Sequence, residues 1–230
     1  VLDFDRYEWL SFDCYGTLVD WETGIATAVA AALTPHGVSR TPAEILALFA
    51  DAEPKAQTAH GYREYRPVLR DVMALIGVEL GIEFSESELG CLADLLPNWP
   101  VFPDAADALT TLKSRYRLAI ISNVDDDLFA GSARALGIEF DAVITSQQVG
   151  AYKPDLRGFN IALERMGCDR ERWLHVGESL YHDIGPANRM GIASVWVNRP
   201  DRGGGTRHTN ATPDLVVSNL AELASIMRPE

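Results

Sequence analysis

Long apolar runs are missing from this chain, and no stretch approaches the roughly 18 residues that span a bilayer as a helix. A membrane protein is therefore not expected. Cysteine is scarce: Cys14, Cys91 and Cys168 are scattered, with no CxxC pair. That excludes a disulfide framework and a cysteine zinc site. Basic residues are few: 20 Lys and Arg stand against 33 Asp and Glu, a formal net charge of -13. So acidic a chain repels nucleic acid and anionic membranes, and any anion it binds must be held by a locally built site. Repeats are absent. The opening VLDFDRYEW has no basic start and no small-residue cleavage site, so cytoplasmic residence is the expectation.

What is present suits a globular fold. The 230 residues are 47% hydrophobic and 23% charged, enough for one full core and an inserted subdomain. Short apolar runs at 9–13, 118–122, 142–145, 173–177 and 193–198 are near-continuous rather than alternating. That is the pattern of parallel strands covered on both faces. Helical stretches between them end on Gly137, Gly167 and Gly191, each a predicted C-terminal cap. The alternation predicts a doubly wound α/β sheet.

Residues 20–100 break the rhythm with successive helical patterns. Asp20 caps the first, Thr41–Pro42 opens the second, and Ser85 with Glu88 forms a capping box for another. The reading is an α-helical cap, 20–100, inserted into a core made of 1–19 and 101–230. PNWPVFPD (97–104) brings the chain back to that core. Residues 199–214 read as a surface loop or lid edge before a last short strand. Their glycine run suggests a phosphate cradle, but lacks the P-loop lysine and leads into no helix.

Four features fall at or just beyond strand carboxyl ends, where open α/β sheets place ligands. They are Asp13 with the Tyr15-Gly16-Thr17 turn, Ser122-Asn123, Lys153-Pro154, and GESLYHDI with Glu178 and Asp183. In this order they supply a carboxylate nucleophile, a hydroxyl and amide cradle, an ammonium and a carboxylate pair. Lys153 keeps an adjacent aspartate ionised. Gly16 permits close backbone approach, and the turn's N–H groups can hold developing negative charge. Cys14 alternates with Asp13 along the strand and is expected in the core. Asp3-Phe-Asp5 imitates an acidic pair but lacks the Gly-Thr turn. Trp21 is assigned to packing at the cap hinge, and His175 to a strand position with a satisfied hydrogen bond.

FDCYGTL, ISN, YKPD and GESLYHDI together resemble the four motifs of the haloacid dehalogenase superfamily, over essentially the whole chain. The resemblance implies a Rossmann-like core with a helical cap and a hydrolase that works through a covalent aspartyl intermediate. Asp-x-Tyr-Gly-Thr is similar to the (S)-2-haloacid dehalogenase branch, whereas the superfamily's phosphatases carry Asp-x-Asp. It implies Asp13 as nucleophile with Lys153 beside it, and Asp183 activating or orienting water. Ser122 and Asn123 would hold the substrate carboxylate and the leaving group, and Tyr15 would line the pocket. Halide leaves without a proton, so Tyr15, with an ordinary pKa of about 10, is no handicap.

The sequence departs from that branch twice. The early cap arginine is absent, its place falling near Ala50. Lys55 is the nearest replacement, and Arg63, Arg66 and Arg70 read as a solvated face or ion pairs. Glu178 stands where the dehalogenases tend to have serine, and Asp13, Glu178 and Asp183 would suit Mg²⁺ if the reaction used it. FDCYGTLVDWETGI, NWPVFPD and ESLYHD resemble the azetidine-2-carboxylate hydrolase subgroup, whose ring nitrogen leaves already protonated. His182 and Tyr181, inside the last motif, are weighed as pocket residues, and His60, Tyr62 and Tyr65 as the cap wall. The expectation is a small-carboxylate hydrolase needing no cofactor, with a Mg²⁺-dependent phosphatase as the alternative and a non-catalytic binding relative behind both. Relatives in the branch are often homodimers.

Overall fold

The computed structural model describes residues 2–200 and 209–228. The glycine run at 203–205 lies outside the described residues. Strand β1 (Trp9–Phe12) leads into four helices, α1 (Trp21–Leu33), α2 (Pro42–Thr58), α3 (Tyr65–Leu80) and α4 (Glu86–Leu95). The alternating remainder is α5 (Ala105–Lys113), β2 (Arg117–Ser122), α6 (Asp126–Leu136), β3 (Ala142–Thr145), α7 (Ser146–Val149) and α8 (Arg157–Met166). It ends with β4 (Trp173–Gly177), α9 (Gly185–Met190), β5 (Ala193–Val197), β6 (Leu215–Val217) and α10 (Leu220–Ile226). No described helix is long and apolar enough to cross a membrane.

The strands form one six-stranded sheet in the order β3-β2-β1-β4-β5-β6, every pairing parallel. This is the doubly wound α/β sheet that the alternation predicts, with the helical cap predicted where residues 20–100 break it. The order reverses at β1, which lies between β2 and β4, so the crevice beyond their carboxyl ends is the place for a ligand.

Side-chain alternation divides the core between the two sheet faces. Leu10, Phe12, Leu118, Ile120, Leu174 and Val176 belong to a large apolar cluster that continues into the cap through Ile25, Val29, Ile45 and Leu69. Trp9, Ala119, Ile121 and Trp173 face the other way, against Phe159, Ala162, Ala187 and Met190. Ser11 and His175 are directly opposite each other on β1 and β4, and alternation puts them on the second face.

Local signals account for the helix boundaries. The Asp20 carboxylate accepts the Thr23 N–H at 3.1 Å. Thr41 with Glu44, and Ser85 with Glu88, form complete capping boxes. Gly137, Gly167 and Gly191 end their helices with φ of 67°, 60° and 68°. In α1, Gly24 lets the Trp99 ring lie against the helix, where a Cβ would sit 2.3 Å from Trp99 Cγ.

The first turn of α3 is capped from a distance. Glu64 makes no side-chain cap. Instead the buried carboxylate of Asp125, on the β2–α6 loop, accepts the Tyr65 and Arg66 N–H groups at 2.7 and 2.8 Å. A core loop thus holds a cap helix in place.

Candidate active site

Asp13 follows β1 and is held before any ligand arrives. Its backbone N–H donates to Val176 O at 2.9 Å. Its Oδ2 accepts from Thr17 Oγ1 at 3.0 Å and its Oδ1 from Lys153 Nζ at 2.8 Å. The turn reverses tightly: Leu18 N–H and Val19 N–H both reach Cys14 O, and Gly16 N–H reaches Val19 O. Gly16 has φ of 100°, a left-handed value, and a Cβ there would come within 3.0 Å of Glu178 Oε2. Thr17 also accepts the Glu178 N–H at 2.9 Å, so one hydroxyl joins the first motif to the last. Cys14 is buried beneath the turn, and burial pushes its thiol well above its ordinary value.

Lys153 is 6% exposed. Its ammonium donates to Asp13 Oδ1 at 2.8 Å, Asp183 Oδ1 at 2.6 Å and Ile121 O at 2.8 Å. An ammonium has three N–H groups, so none is left over. Asn123 positions this lysine, its Oδ1 accepting the Lys153 N–H at 2.7 Å and its Nδ2 donating to Lys153 O at 3.2 Å.

Asp183 is fully buried. The segment Leu180–Ile184 forms a wide helical turn leading into α9, and this folds the carboxylate back over Gly177. A Cβ on Gly177 would lie 2.6 Å from Asp183 Cγ, so the strand must end on glycine. Burial alone would raise the Asp183 pKa. The Lys153 charge and the His175 hydrogen bond outweigh it and hold the carboxyl well below the usual range. For Asp13, burial is the largest effect and raises the pKa, with Lys153 opposing. Glu178 is pushed up to about 8 by burial, reinforced by the charges of Asp13 and Asp183.

These groups open on a cavity of about 210 Å³ between sheet and cap. Asp13, Tyr15, Ser122, Asn123, Lys153, Glu178, His182 and Asp183 all line it, so the four motifs are brought together. Ser122 Oγ is buried with no hydrogen-bond partner among the described residues. The Tyr15 hydroxyl shares a 3.0 Å hydrogen bond with Ser132 Oγ, and its ring meets Trp99 edge-on. Burial drives its pKa well above the ordinary value. His182 Nδ1 is 3.1 Å from Ser179 Oγ, and its ring packs edge-on against Tyr181.

The cap wall differs from expectation. Phe49, Ala50, Glu53 and Pro54 of α2 line the cavity with Trp21. Their spacing, one helical turn, was available as a signal. Trp21 packs on Phe49 as well as on the hinge. His60 is exposed and does not reach the cavity, and Tyr62 and Tyr65 stack on Tyr152 instead. Lys55 pairs with Asp51 on the surface. Arg63 pairs with Asp71, Arg66 with Asp94 and Asp127, and Arg70 with Glu86. None of these cations lines the cavity to stand in for a cap arginine.

Asp13, Glu178 and Asp183, the set that would hold Mg²⁺, all line the cavity, but not in an arrangement suited to a metal. No cluster of three or more His, Cys, Asp or Glu suited to a metal occurs among the described residues. The reason is local: the Lys153 ammonium bridges the two aspartates. Their outer oxygens already accept from Thr17 and from the Ser179 N–H.

A family model for haloacid dehalogenase-like hydrolases matches residues 7–191. An (S)-2-haloacid dehalogenase of Pseudomonas fluorescens is 27% identical over 93% of both chains. A glyceraldehyde 3-phosphate phosphatase of Methanothermobacter thermautotrophicus is 36% identical, over 55% of this chain and 58% of that protein. The crystal structure of a defluorinating L-2-haloacid dehalogenase superposes with a TM-score of 0.84 at 24% identity, covering 97% of this chain and 96% of the other.

Proposed function

The chain belongs to the haloacid dehalogenase-like hydrolases, and from that premise we propose that it cleaves a bond at C2 of a small 2-substituted carboxylic acid, with Asp13 as nucleophile. A lone pair of Asp13 forms the new C–O bond while the bond to the leaving group breaks and that group takes the electron pair. Water then adds to the Asp13 ester carbonyl, oriented by Asp183. The ester C–O bond breaks, one water proton ends on the alkoxide and one is released, and a 2-hydroxy acid departs. Lys153 balances charge beside both aspartates. Ser122, whose buried hydroxyl lacks a partner among the described residues, faces the substrate carboxylate.

The observation that carries this reading is Tyr15. It stands two residues beyond the nucleophile, where a phosphatase needs a proton donor, and its hydroxyl is engaged by Ser132 and held far above a useful pKa. On this reading the leaving group departs without a proton from Tyr15.

Between a halide and a ring ammonium, the cavity wall favours the ammonium. It presents the carboxyl groups of Asp13, Glu53 and Asp183, with Glu178 held mainly in its neutral form at pH 7, and the single ammonium of Lys153, whose N–H groups are all engaged. A substrate bearing its own positive nitrogen suits such a wall. Azetidine-2-carboxylate fits, since its protonated ring nitrogen leaves as an amine and the product is 2-hydroxy-4-aminobutyrate. The test is a panel of azetidine-2-carboxylate, both 2-chloropropionate enantiomers and p-nitrophenyl phosphate with and without Mg²⁺. Ring opening that vanishes in Asp13→Asn is expected. Mg²⁺-dependent phosphate release that vanishes in the same variant would replace this reading with a phosphatase.

A further inference from the structure

A hydrogen-bonded line runs through the sheet beneath the catalytic carboxylates. Trp173 Nε1–H donates to Ser11 Oγ at 2.7 Å. Ser11 Oγ lies 2.7 Å from His175 Nδ1. His175 Nε2 lies 3.4 Å from Asp183 Oδ1, the oxygen that also accepts from Lys153. Trp173, Ser11, His175 and Asp183 are all fully buried. The line is built by register. Ser11 and His175 pair across β1 and β4, and Trp173 precedes His175 by two residues on the same face. Phe159 of α8 closes the other side, edge-on to the imidazole at 4.8 Å between centroids.

The directions of the line follow from the donors. An indole N–H only donates, so Ser11 Oγ accepts from Trp173. The single Ser11 proton is then free to donate, and among the described contacts its acceptor is His175 Nδ1. That leaves the imidazole proton on Nε2, aimed at Asp183. The opposite tautomer would strand the Ser11 proton and turn a bare nitrogen lone pair toward a carboxylate, both costly in a dry interior.

We infer that His175 is a positioning residue, locked by Ser11 and Trp173 as the Nε2–H tautomer so that it fixes the Asp183 carboxylate for the water-dependent second half of the reaction. The inference rests on the reading of Asp13 as nucleophile and Asp183 as water-orienting group. Asp183 Oδ1 is held by Lys153 and His175, and Oδ2 by the Ser179 N–H at 3.2 Å. Lys153 alone could follow Asp13 as the ester forms and that carboxylate loses its charge. His175 does not touch Asp13, so it keeps Asp183 in place through that change.

Two experiments decide the matter. In protein labelled with ¹⁵N-histidine, two-bond correlations at neutral pH assign the tautomers of the 5 histidines, with His175→Gln identifying the resonance. A protonated Nε2 and bare Nδ1 are expected, and Ser11→Ala should release the preference. A protonated Nδ1 in the wild type overturns the inference. Kinetically, with azetidine-2-carboxylate or 2-chloropropionate, His175→Leu should lower kcat about tenfold, ~1.4 kcal/mol, with KM within twofold. The Asp13 ester should accumulate in intact-protein mass spectra. His175→Gln, whose amide accepts from Ser11 and donates to Asp183, should keep kcat within threefold. Equal losses in the two variants would reduce His175 to packing and overturn the inference. Absence of wild-type turnover would sink the Asp13 reading instead, and the tautomer would still decide the role of His175.

Discussion

Replacing Lys153 by methionine keeps the side chain's bulk and removes its charge, leaving two aspartates without their shared partner. Asp183 is 0% exposed and Asp13 8%. In the wild type, Asp183 is held below its ordinary pKa by Lys153 and His175 against burial. A group with a depressed folded pKa contributes stability above its unfolded pKa and loses it as pH falls through the folded value. Without Lys153, one buried carboxylate must take up a proton to remain in the fold. That costs about 1.4 kcal/mol for each pH unit above its unfolded pKa of roughly 3.9, or ~4 kcal/mol at pH 7. The figure agrees with the ~3–5 kcal/mol typical of a broken buried ion pair. For a domain of this size it lowers Tm by about 8–16 °C. At pH 4.5 the same arithmetic leaves ~1 kcal/mol, or about 2–4 °C. Thermal unfolding followed by circular dichroism at both pH values is the assay. A Lys153→Met deficit that does not shrink on acidification would refute the charge argument, and an unchanged Tm at pH 7 would refute the whole account of the triad.

Other substitutions test separate parts of the structure. Tyr15→Phe should retain azetidine-2-carboxylate turnover within about threefold, whereas a loss approaching the ~10²-fold typical of a general acid would assign Tyr15 a proton. Gly177→Ala drives a methyl into Asp183; activity should fall at least tenfold, and initial rates alongside Tm will show whether stability falls with it. Gly24→Ala meets the Trp99 ring and should cost about 1–3 kcal/mol by urea denaturation, as overpacking does. Asp125→Ala removes the remote cap of α3 and should cost ~1–2 kcal/mol, with amide exchange of the first α3 turn accelerating more than that of α2.

The parts of the fold legible in the sequence were those with local signatures. Continuous apolar strands mark a parallel sheet, and Thr41, Ser85 and the terminal glycines mark helix ends, because capping chemistry needs particular residue types at fixed offsets. Asp13, Lys153 and Asp183 were legible as residues at or beyond strand carboxyl ends, where the switch-point rule places a ligand crevice. The Asp125 cap of α3 was not, because its partners are 60 and 59 residues away and nothing near Glu64 announces a missing cap. The place of Lys153 was not legible for a related reason: sequence puts Asp13 and Asp183 near one another but does not say that a lysine lies between them.

His175 shows how much of the site lies in the sheet itself. On β4 the residues Trp173, His175 and Gly177 share one face, and their side chains diminish toward the carboxyl end. The indole fills the core against Phe159. The imidazole next to it converts a core contact into a directed N–H. The glycine leaves the space that Asp183 fills. The Asp183 carboxylate is therefore placed by what two strand positions provide and what a third omits, and the wide turn at Leu180–Ile184 only delivers it. A substitution at any of the three should register at Asp183 before it registers in the fold, and that ordering separates a strand built for packing from one built to aim a carboxylate.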